Sequence, residues 1–368
     1  MGKVYQGDCR EMLKKIKDGT VDCCITSPPY YGLRDYGTGK WVGGDPNCPH
    51  RRMSKRSDKT ITGHKQDELA GNVGDAIYKS VCPLCGAVRE DNQIGLEETP
   101  EEYINNLVAV FREVKRALKD DGTLWVNIGD SYAGGQGRWG GTDNISDMQA
   151  NSKGSLTQIG ISRKWEHETI KHKDLIGIPW MLAFALRNDG WYLRQDIIWQ
   201  KPNPMPESVK DRCTKSHEYI FLLSKKPHYY FDYEAIQEDA NSKYESRYNS
   251  EFNNGKEQLT DRPNAKPNTA GMHVYTGKRN KRDIWTVCIK PIRDAHFATF
   301  PEELIKPCIL AGSRVGGCVL DPFFGSGTTG RVATELNRDY IGIELNPEYI
   351  EISKKRTNNV QMSMFGFV

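Results

Sequence analysis

Apolar and polar residues along this chain follow two periods that take turns. Residues 3–5 read as a short strand, a turn follows at Gly7 and Asp8, and Met12, Leu13 and Ile16 mark one face of a helix. Residues 21–26, with Val21, Ile25 and Thr26 among them, read as a second strand that runs into Pro28 and Pro29. Tyr103, Leu107, Val110, Phe111 and Val114 then recur at helical spacing over 101–118, with Thr99 placed as N-cap and Pro100 as first helical residue. Asp121 and Gly122 predict a turn into a strand at 123–128. Further on, 179–187, 301–310 and 330–336 read as helices, and 193–199, 219–223, 319–320 and 340–344 as strands. Strand, helix, strand and polar loop in this rhythm predict an α/β fold with a doubly wound sheet.

Three polar stretches interrupt the rhythm. Residues 43–92 are bracketed by cysteines, 133–163 have the Gly-, Ser- and Asn-rich composition of a mobile loop, and about 233–282 are rich in Asn, Lys, Arg and Tyr. A length of 368 residues, 37% of them hydrophobic, suits one large core carrying insertions. No run approaches the ~20 apolar residues of a membrane span, and the N-terminus lacks the apolar core of a signal peptide. Gly2 does not read as a myristoylation site, because position 6 is Gln6. A cytoplasmic protein is expected, its ten cysteines serving as thiols or metal ligands rather than disulfides. The net charge of +3 permits a nucleic-acid partner without requiring one, so a DNA surface would be a local patch.

Two motifs at predicted strand ends carry chemistry. The first is Thr26-Ser27-Pro28-Pro29-Tyr30. An exocyclic amino nitrogen of a base is a poor nucleophile, because its lone pair is delocalised into the ring. Acceptors aimed at its two hydrogens favour a pyramidal nitrogen. Ser27 offers a side-chain oxygen, the Pro28 carbonyl a second acceptor held rigid by two prolines, and Tyr30 a ring to stack on a flipped base. A plain Pro-Pro turn explains the same residues about as well. The second motif is Asp321-Pro322-Phe323-Phe324-Gly325-Ser326-Gly327-Thr328-Thr329, a Gly-rich turn that lets backbone approach a nucleotide-like ligand. It completes neither Gly-x-Gly-x-x-Gly nor a P-loop. Glu344, at a strand end about 20 residues after the Gly-rich turn, suits a ribose with two hydroxyls and is followed by Leu345 and Asn346.

Together these stretches resemble the β group of S-adenosylmethionine-dependent DNA amino-methyltransferases. Asp321 to Thr329 resembles the cofactor loop, Thr26 to Tyr30 the catalytic loop, and the His296 to Leu304 segment, with Phe300 and Pro301, the entry that touches the methionine end of the cofactor. Asp8, in Gly7-Asp8-Cys9, resembles the acid that contacts adenine. The catalytic loop precedes the cofactor loop, which is the circularly permuted order of that group. The resemblance implies a seven-stranded methyltransferase sheet, no covalent intermediate, and double-stranded DNA as substrate. It also implies catalytic parts at 1–42 and 93–232, a cofactor-binding part at 283–368 and a target-recognition region at 233–282. Ser27 at the first catalytic position implies cytosine N4 as target, with adenine N6 as the alternative. RNA, a protein glutamine, and a DNA-binding protein without catalysis are further readings. A cognate restriction enzyme fits a bacterial or phage-encoded member. The group often dimerises, and nothing in the sequence decides the oligomeric state.

Residues 43–92 hold Cys48-Pro49-His50 and Cys82-Pro83-Leu84-Cys85-Gly86. The second has the form of a zinc knuckle, so Cys48, His50, Cys82 and Cys85 are read as one structural zinc site, with His64 the alternative to His50 and a redox Cys-x-x-Cys the competing reading. Lys278, Arg279, Lys281 and Arg282 lie where the resemblance puts DNA recognition and are expected to touch phosphates. Arg138 and Trp139 could close over DNA or cofactor. Pro307-Cys308 has the form of a carbon-5 methyltransferase nucleophile, but its apolar helical context places the cysteine in the core.

Overall fold

A computed structural model describes residues 2–32, 38–52, 76–77, 81–133, 167–239, 278–289 and 300–364. Its first half runs β1 (Lys3–Gln6), α1 (Cys9–Met12), β2 (Val21–Thr26), β3 (Lys40–Val42), β4 (Arg51–Arg52), β5 (Ala76–Ile77), β6 (Val88–Glu90), α2 (Pro100–Ala117) and β7 (Leu118–Ile128). It continues with α3 (Ile178–Asn188), β8 (Tyr192–Gln200), β9 (His217–Ser224), β10 (Glu238–Asp239), β11 (Lys278–Arg279) and β12 (Ile284–Thr286). The last part is α4 (Glu302–Gly312), β13 (Cys318–Asp321), α5 (Thr328–Glu335), β14 (Asp339–Glu344) and α6 (Pro347–Met364). Among the described residues no helix is long and apolar enough to cross a membrane.

The central sheet is mixed and has the order β1-β14-β13-β2-β7-β9-β8-β12. Strands from β1 to β7 in that order are parallel, β9 is antiparallel to both neighbours, and β12 is parallel to β8. The expected count was seven, and among the described residues this sheet has eight strands. The extra strand is β12, three residues at the sheet edge. No periodicity announces it, because one buried side chain, Trp285, holds it, and the Trp285 indole donates to the Arg282 carbonyl at 2.7 Å. The turn expected at Asp121 and Gly122 is also corrected. Strand β7 already begins at Leu118, and the pairing slips there, from Val21 with Leu118 to Cys23 with Thr123. A Cβ on Gly122 would sit 3.1 Å from the Asp22 carbonyl, so the turn signal marks a close approach inside an irregular strand.

Both faces of the sheet are buried, as a doubly wound sheet requires. Successive residues alternate between two cores. Leu124 and Val126 face Tyr103, Leu107 and Phe111 of α2, whereas Trp125 between them faces Leu304 and Ile309 of α4. Helix α2 starts where the sequence placed it, its Thr99 hydroxyl accepting from the Glu102 amide at 3.2 Å.

The winding fixes the site. The chain passes from β2 through α2 to β7 in one direction along the sheet, and from β13 through α5 to β14 in the other. The order therefore reverses between the adjacent strands β2 and β13. Ligands of open α/β sheets bind outside the carboxyl ends of strands at such a switch point. Thr26 ends β2 and Asp321 ends β13, so the two motifs are neighbours although 295 residues separate them in sequence.

Candidate active site

At the switch point the Thr26 hydroxyl donates to Asp321 Oδ1 at 2.6 Å. Asp321 also accepts from the Thr329 hydroxyl at 2.6 Å and from the Phe323 amide at 3.0 Å. Burial pushes its carboxyl up to about 6, against the pull of those three bonds. Asp321 is thus the buckle that closes the Gly-rich loop onto the end of β2. Gly327 has φ +82°, and a Cβ there would lie 2.6 Å from the Ser353 Cβ, so both conformation and space require glycine.

One strand on, Glu344 accepts from the Gly325 amide at 2.7 Å and the Asn346 amide at 2.8 Å. Burial raises its carboxyl too. Gly342 in the same strand leaves room for the Phe324 ring, which a Cβ would meet at 2.4 Å. Asp8 follows β1, and its carboxylate caps α1 by accepting from the Arg10 amide at 2.8 Å. Burial opposes that charge, but the bonds to Arg10 outweigh it and hold the carboxyl below its ordinary range. These groups and the catalytic loop open on one cavity of about 360 Å³, within the usual size for a small-ligand site. Gly7, Asp8, Glu344 and Leu345 lie on its wall, as do Asp321 to Ser326, Thr328, Phe300 and Ser27 to Tyr30. Thr26, Gly327, Thr329, Pro301 and Asn346 back this wall or flank it in the chain.

The catalytic loop is clamped from behind. The Tyr103 hydroxyl donates to the Pro29 carbonyl at 2.8 Å, and the Gly32 amide to the Gly95 carbonyl at 2.8 Å. Gly95 has φ +103° and packs against the Tyr30 carbonyl, which a Cβ would approach to 3.1 Å. The Ser27 hydroxyl lies 3.5 Å from the Tyr30 hydroxyl, which donates to Glu218 Oε2 at 2.5 Å. Glu218 also accepts from Asn127 Nδ2 at 3.2 Å and pairs with Lys201. Burial, and then the Glu218 charge, push the Tyr30 phenol well above its ordinary range, so it stays a donor.

The family model of N6/N4 DNA methylases matches residues 21–355, a span that includes both strand-end motifs. The chain belongs to the DNA methylase family. It is 41% identical over 353 residues to the type II methyltransferase M.Cfr9I of Citrobacter freundii, covering 96% of this chain and 86% of that one. It is also 41% identical over 354 residues to the type II methyltransferase M.SmaI of Serratia marcescens, covering 96% and 90%. The fold is similar to that of the PvuII DNA methyltransferase, described as cytosine-N4-specific, with a TM-score of 0.53 at 16% identity over 99% of this chain and 93% of that one. The resemblance to S-adenosylmethionine-dependent amino-methyltransferases read from the motifs is thereby upheld.

In this methylase the sequence motifs supply only part of the cavity. Asn127, Lys201 and Glu218 were not foreseen, nor was Arg356. Arg356 reaches from α6 to the Ser326 carbonyl at 3.0 Å and its hydroxyl at 2.7 Å, and so braces the Gly-rich loop from outside. His64, Arg138 and Trp139 lie outside the described residues, as do 296–299 of the segment leading to Phe300.

The insertion brings Cys48, His50, Cys82 and Cys85 together, their ligand atoms all within 4.8 Å of one another. Cys48 Sγ is 3.7 Å from Cys82 Sγ, and Cys85 Sγ is 3.6 Å from His50 Nδ1. The knuckle turn closes as the Gly86 amide donates to the Cys82 carbonyl at 2.8 Å. His50 has φ +50°, unusual for a residue with a side chain, and its ring stacks on Trp41. The basic cluster is less free than its charge suggests. Arg279 and Arg282 both bond Glu238, at 2.9 and 2.6 Å, and Lys278 pairs with Asp239. Lys281 lies over the Trp285 ring at 5.1 Å. Cys308 is buried in the core and its thiol pushed far up by desolvation, so it is no carbon-5 nucleophile.

Proposed function

We propose that this chain is a type II DNA methyltransferase that methylates the exocyclic N4 of a cytosine flipped out of duplex DNA. The observation that carries the reading is Ser27, a neutral acceptor on the wall of the cavity that Glu344 also lines, next in the chain to the Thr26 that bonds Asp321. The type II relatives support a role in modification alongside a restriction enzyme. Adenine N6 is the second reading, because a hydroxyl and a carboxylate both hold an N–H.

Bound S-adenosylmethionine supplies an electrophilic methyl on a sulfonium. The residues present fit that cofactor. Gly325 has φ +51° and only the Phe323 carbonyl, at 4.0 Å, near where its Cβ would be, so its backbone can lie against a ligand. Glu344, fixed by two loop amides, keeps lone pairs for two ribose hydroxyls, and Asp8 lies at the adenine end. Phe300 and Pro301 would flank the methionine end, and Leu345 and Asn346 the ribose. Ser27 and the Pro28 carbonyl accept the two N–H bonds of the base, since the Pro29 carbonyl is already taken by Tyr103. Methyl transfer to the nitrogen would leave the cofactor as a neutral thioether, and the proton then lost from the amino group would pass to solvent water. Proximity and alignment supply much of the rate.

In this reading 43–92 is a zinc-binding insertion. Four tetrahedral ligands at zinc–sulfur and zinc–nitrogen bond lengths would stand about 3.8 Å apart for two sulfurs and about 3.6 Å for sulfur and nitrogen. The observed 3.7 and 3.6 Å match those separations. Residues 233–282 form the recognition region, its ends joined by the β10–β11 pair.

The deciding experiment is methyl transfer from labelled cofactor to unmethylated duplex DNA, followed by nucleoside mass spectrometry. N4-methylcytosine is expected, and Ser27→Ala should lower turnover with cofactor affinity nearly unchanged. Methylated adenine alone would transfer the chain to the second reading. A further outcome concerns salt. Lys281→Gln should reduce the salt slope of DNA binding by about one, and Lys278→Gln by less, because Asp239 already neutralises Lys278. Equal slopes for both variants and the parent would take the cluster off the DNA.

A further inference from the structure

A hydroxyl is a weaker acceptor than a carboxylate, yet Ser27 stands where an acceptor must hold an amino hydrogen. The structure places a carboxylate two hydrogen bonds behind it. Ser27 Oγ is 3.5 Å from the Tyr30 hydroxyl, and the Tyr30 hydroxyl donates to Glu218 Oε2 at 2.5 Å. The first distance is at the outer limit for a bond, as is common in catalytic sites before substrate binds. The second is short, the mark of a charged acceptor. All three groups reach the same cavity wall. Glu218 is not held for packing alone. Lys201 and Asn127 both bond it, and Lys201 is itself braced over the Trp199 ring at 4.4 Å. Asn127 is fixed by donating to the Tyr219 carbonyl at 3.1 Å. Gly129 completes the fit, since a Cβ there would stand 2.7 Å from the Tyr30 ring. Tyr30 is therefore anchored by its hydroxyl, whereas the sequence alone offered it only as a stacking ring.

We propose that Glu218 is a positioning residue that strengthens Ser27 as an acceptor through Tyr30. With the Ser27 hydroxyl donating to the Tyr30 oxygen and the Tyr30 hydroxyl to Glu218 at 2.5 Å rather than to Asn127 Oδ1 at 3.3 Å, the lone pairs of Ser27 are left for the base. Each donor in such a chain is polarised by the next, and the fixed negative charge at its end makes the first oxygen a better acceptor. No proton leaves the chain. The serine thereby gains part of the strength a carboxylate would have, while the Glu218 charge is itself paired with Lys201. The inference rests on the reading of Ser27 as the N–H acceptor.

The test uses the full chain with labelled S-adenosylmethionine and unmethylated plasmid DNA. Glu218→Gln and Tyr30→Phe should each lower kcat by roughly 10–100-fold, the worth of one charge-assisted hydrogen bond. The double variant should be no slower than the slower single one. Cofactor affinity by calorimetry should match the parent in all three. Ser27→Asp, which brings its own charge, should make turnover insensitive to Glu218→Gln. Tyr30→Phe removes one oxygen and keeps the ring, so it tests the chain even if Glu218→Gln folds poorly. Full turnover in Glu218→Gln and Tyr30→Phe, with Ser27→Ala impaired, overturns the relay and leaves the amino-transfer reading standing. Full turnover in Ser27→Ala overturns that reading itself. Weakened cofactor binding in Glu218→Gln would show a structural role and also sink the proposal.

Discussion

With zinc held by Cys48, His50, Cys82 and Cys85 as proposed, chelation is expected to unravel residues 43–92 and to weaken cofactor binding with them. Among the described residues, β6 pairs with β3 just ahead of this span, three residues each, and β4 with β5 inside it, two each, which is too little sheet to stand alone. A structural zinc contributes on the order of 10–16 kcal/mol in small metal-dependent folds, so its loss outweighs everything else holding such a segment. The effect should reach the cavity because the chain leaves β6 directly into Asn92, Gln93 and Ile94, which line it. Arg10, the partner of Asp8, also donates to the Asn92 carbonyl at 3.0 Å. Elemental analysis should find about one zinc per chain, and none after Cys82→Ser with Cys85→Ser. Calorimetry before and after chelation should show a loss of cofactor affinity that added zinc restores. Metal-free protein of full affinity would refute the link, and purified protein lacking tight metal would refute the site.

Asp321→Ala is expected to cost cofactor binding far more than it costs the fold at neutral pH. It orphans three donors, at about 1–3 kcal/mol each if they stay unpaired, although two are hydroxyls that can turn elsewhere. Against that, it relieves a buried charge. With the carboxyl pushed up from 3.8 to about 6, ionisation costs the native state about 3 kcal/mol well above pH 6. The native carboxyl takes up its proton before the unfolded one does. The parent therefore recovers this stability as pH falls through about 6 towards 4, and the variant has none to recover. Urea unfolding should show the gap between parent and variant widening by up to about 3 kcal/mol from pH 7.5 to pH 4. A gap that stays constant or narrows would mean that Asp321 is not buried as a costly charge. Cofactor affinity should fall at least about 100-fold at pH 7.5, because the loop loses the anchor on which its amides depend.

The sheet and its motifs were legible because their signals are local. Val21 to Thr26 is a strand ended by two prolines, Thr99 and Pro100 announce α2, and Asp321 to Thr329 lies in one unbroken run. The polar cluster behind the catalytic loop has no such signal. Asn127, Lys201 and Glu218 come from β7, the end of β8 and β9, which are adjacent only once the sheet has formed. Helix α6 was missed because its surface is largely polar, yet it carries Arg356 to the cofactor loop. The basic cluster, expected at phosphates, gave no sign of its acidic partners because Glu238 and Asp239 lie about 40 positions away in sequence.

The bond between Thr26 and Asp321 has a bearing on precision. In-line transfer tolerates little relative error, and a misplacement of about 1 Å between reacting groups can cost roughly 100-fold in rate. What matters is the difference between two positions, not either one alone. Strands β2 and β13 share a ladder, Val319 with Cys23 and Leu320 with Cys24, and the buried bond at their ends extends it by one rung. Thermal drift of the sheet thus carries the Ser27 loop and the Gly-rich loop together, as two pens on one ruler keep their spacing when the ruler is moved. On the proposed reading, the base and the methyl donor are registered to a common mark.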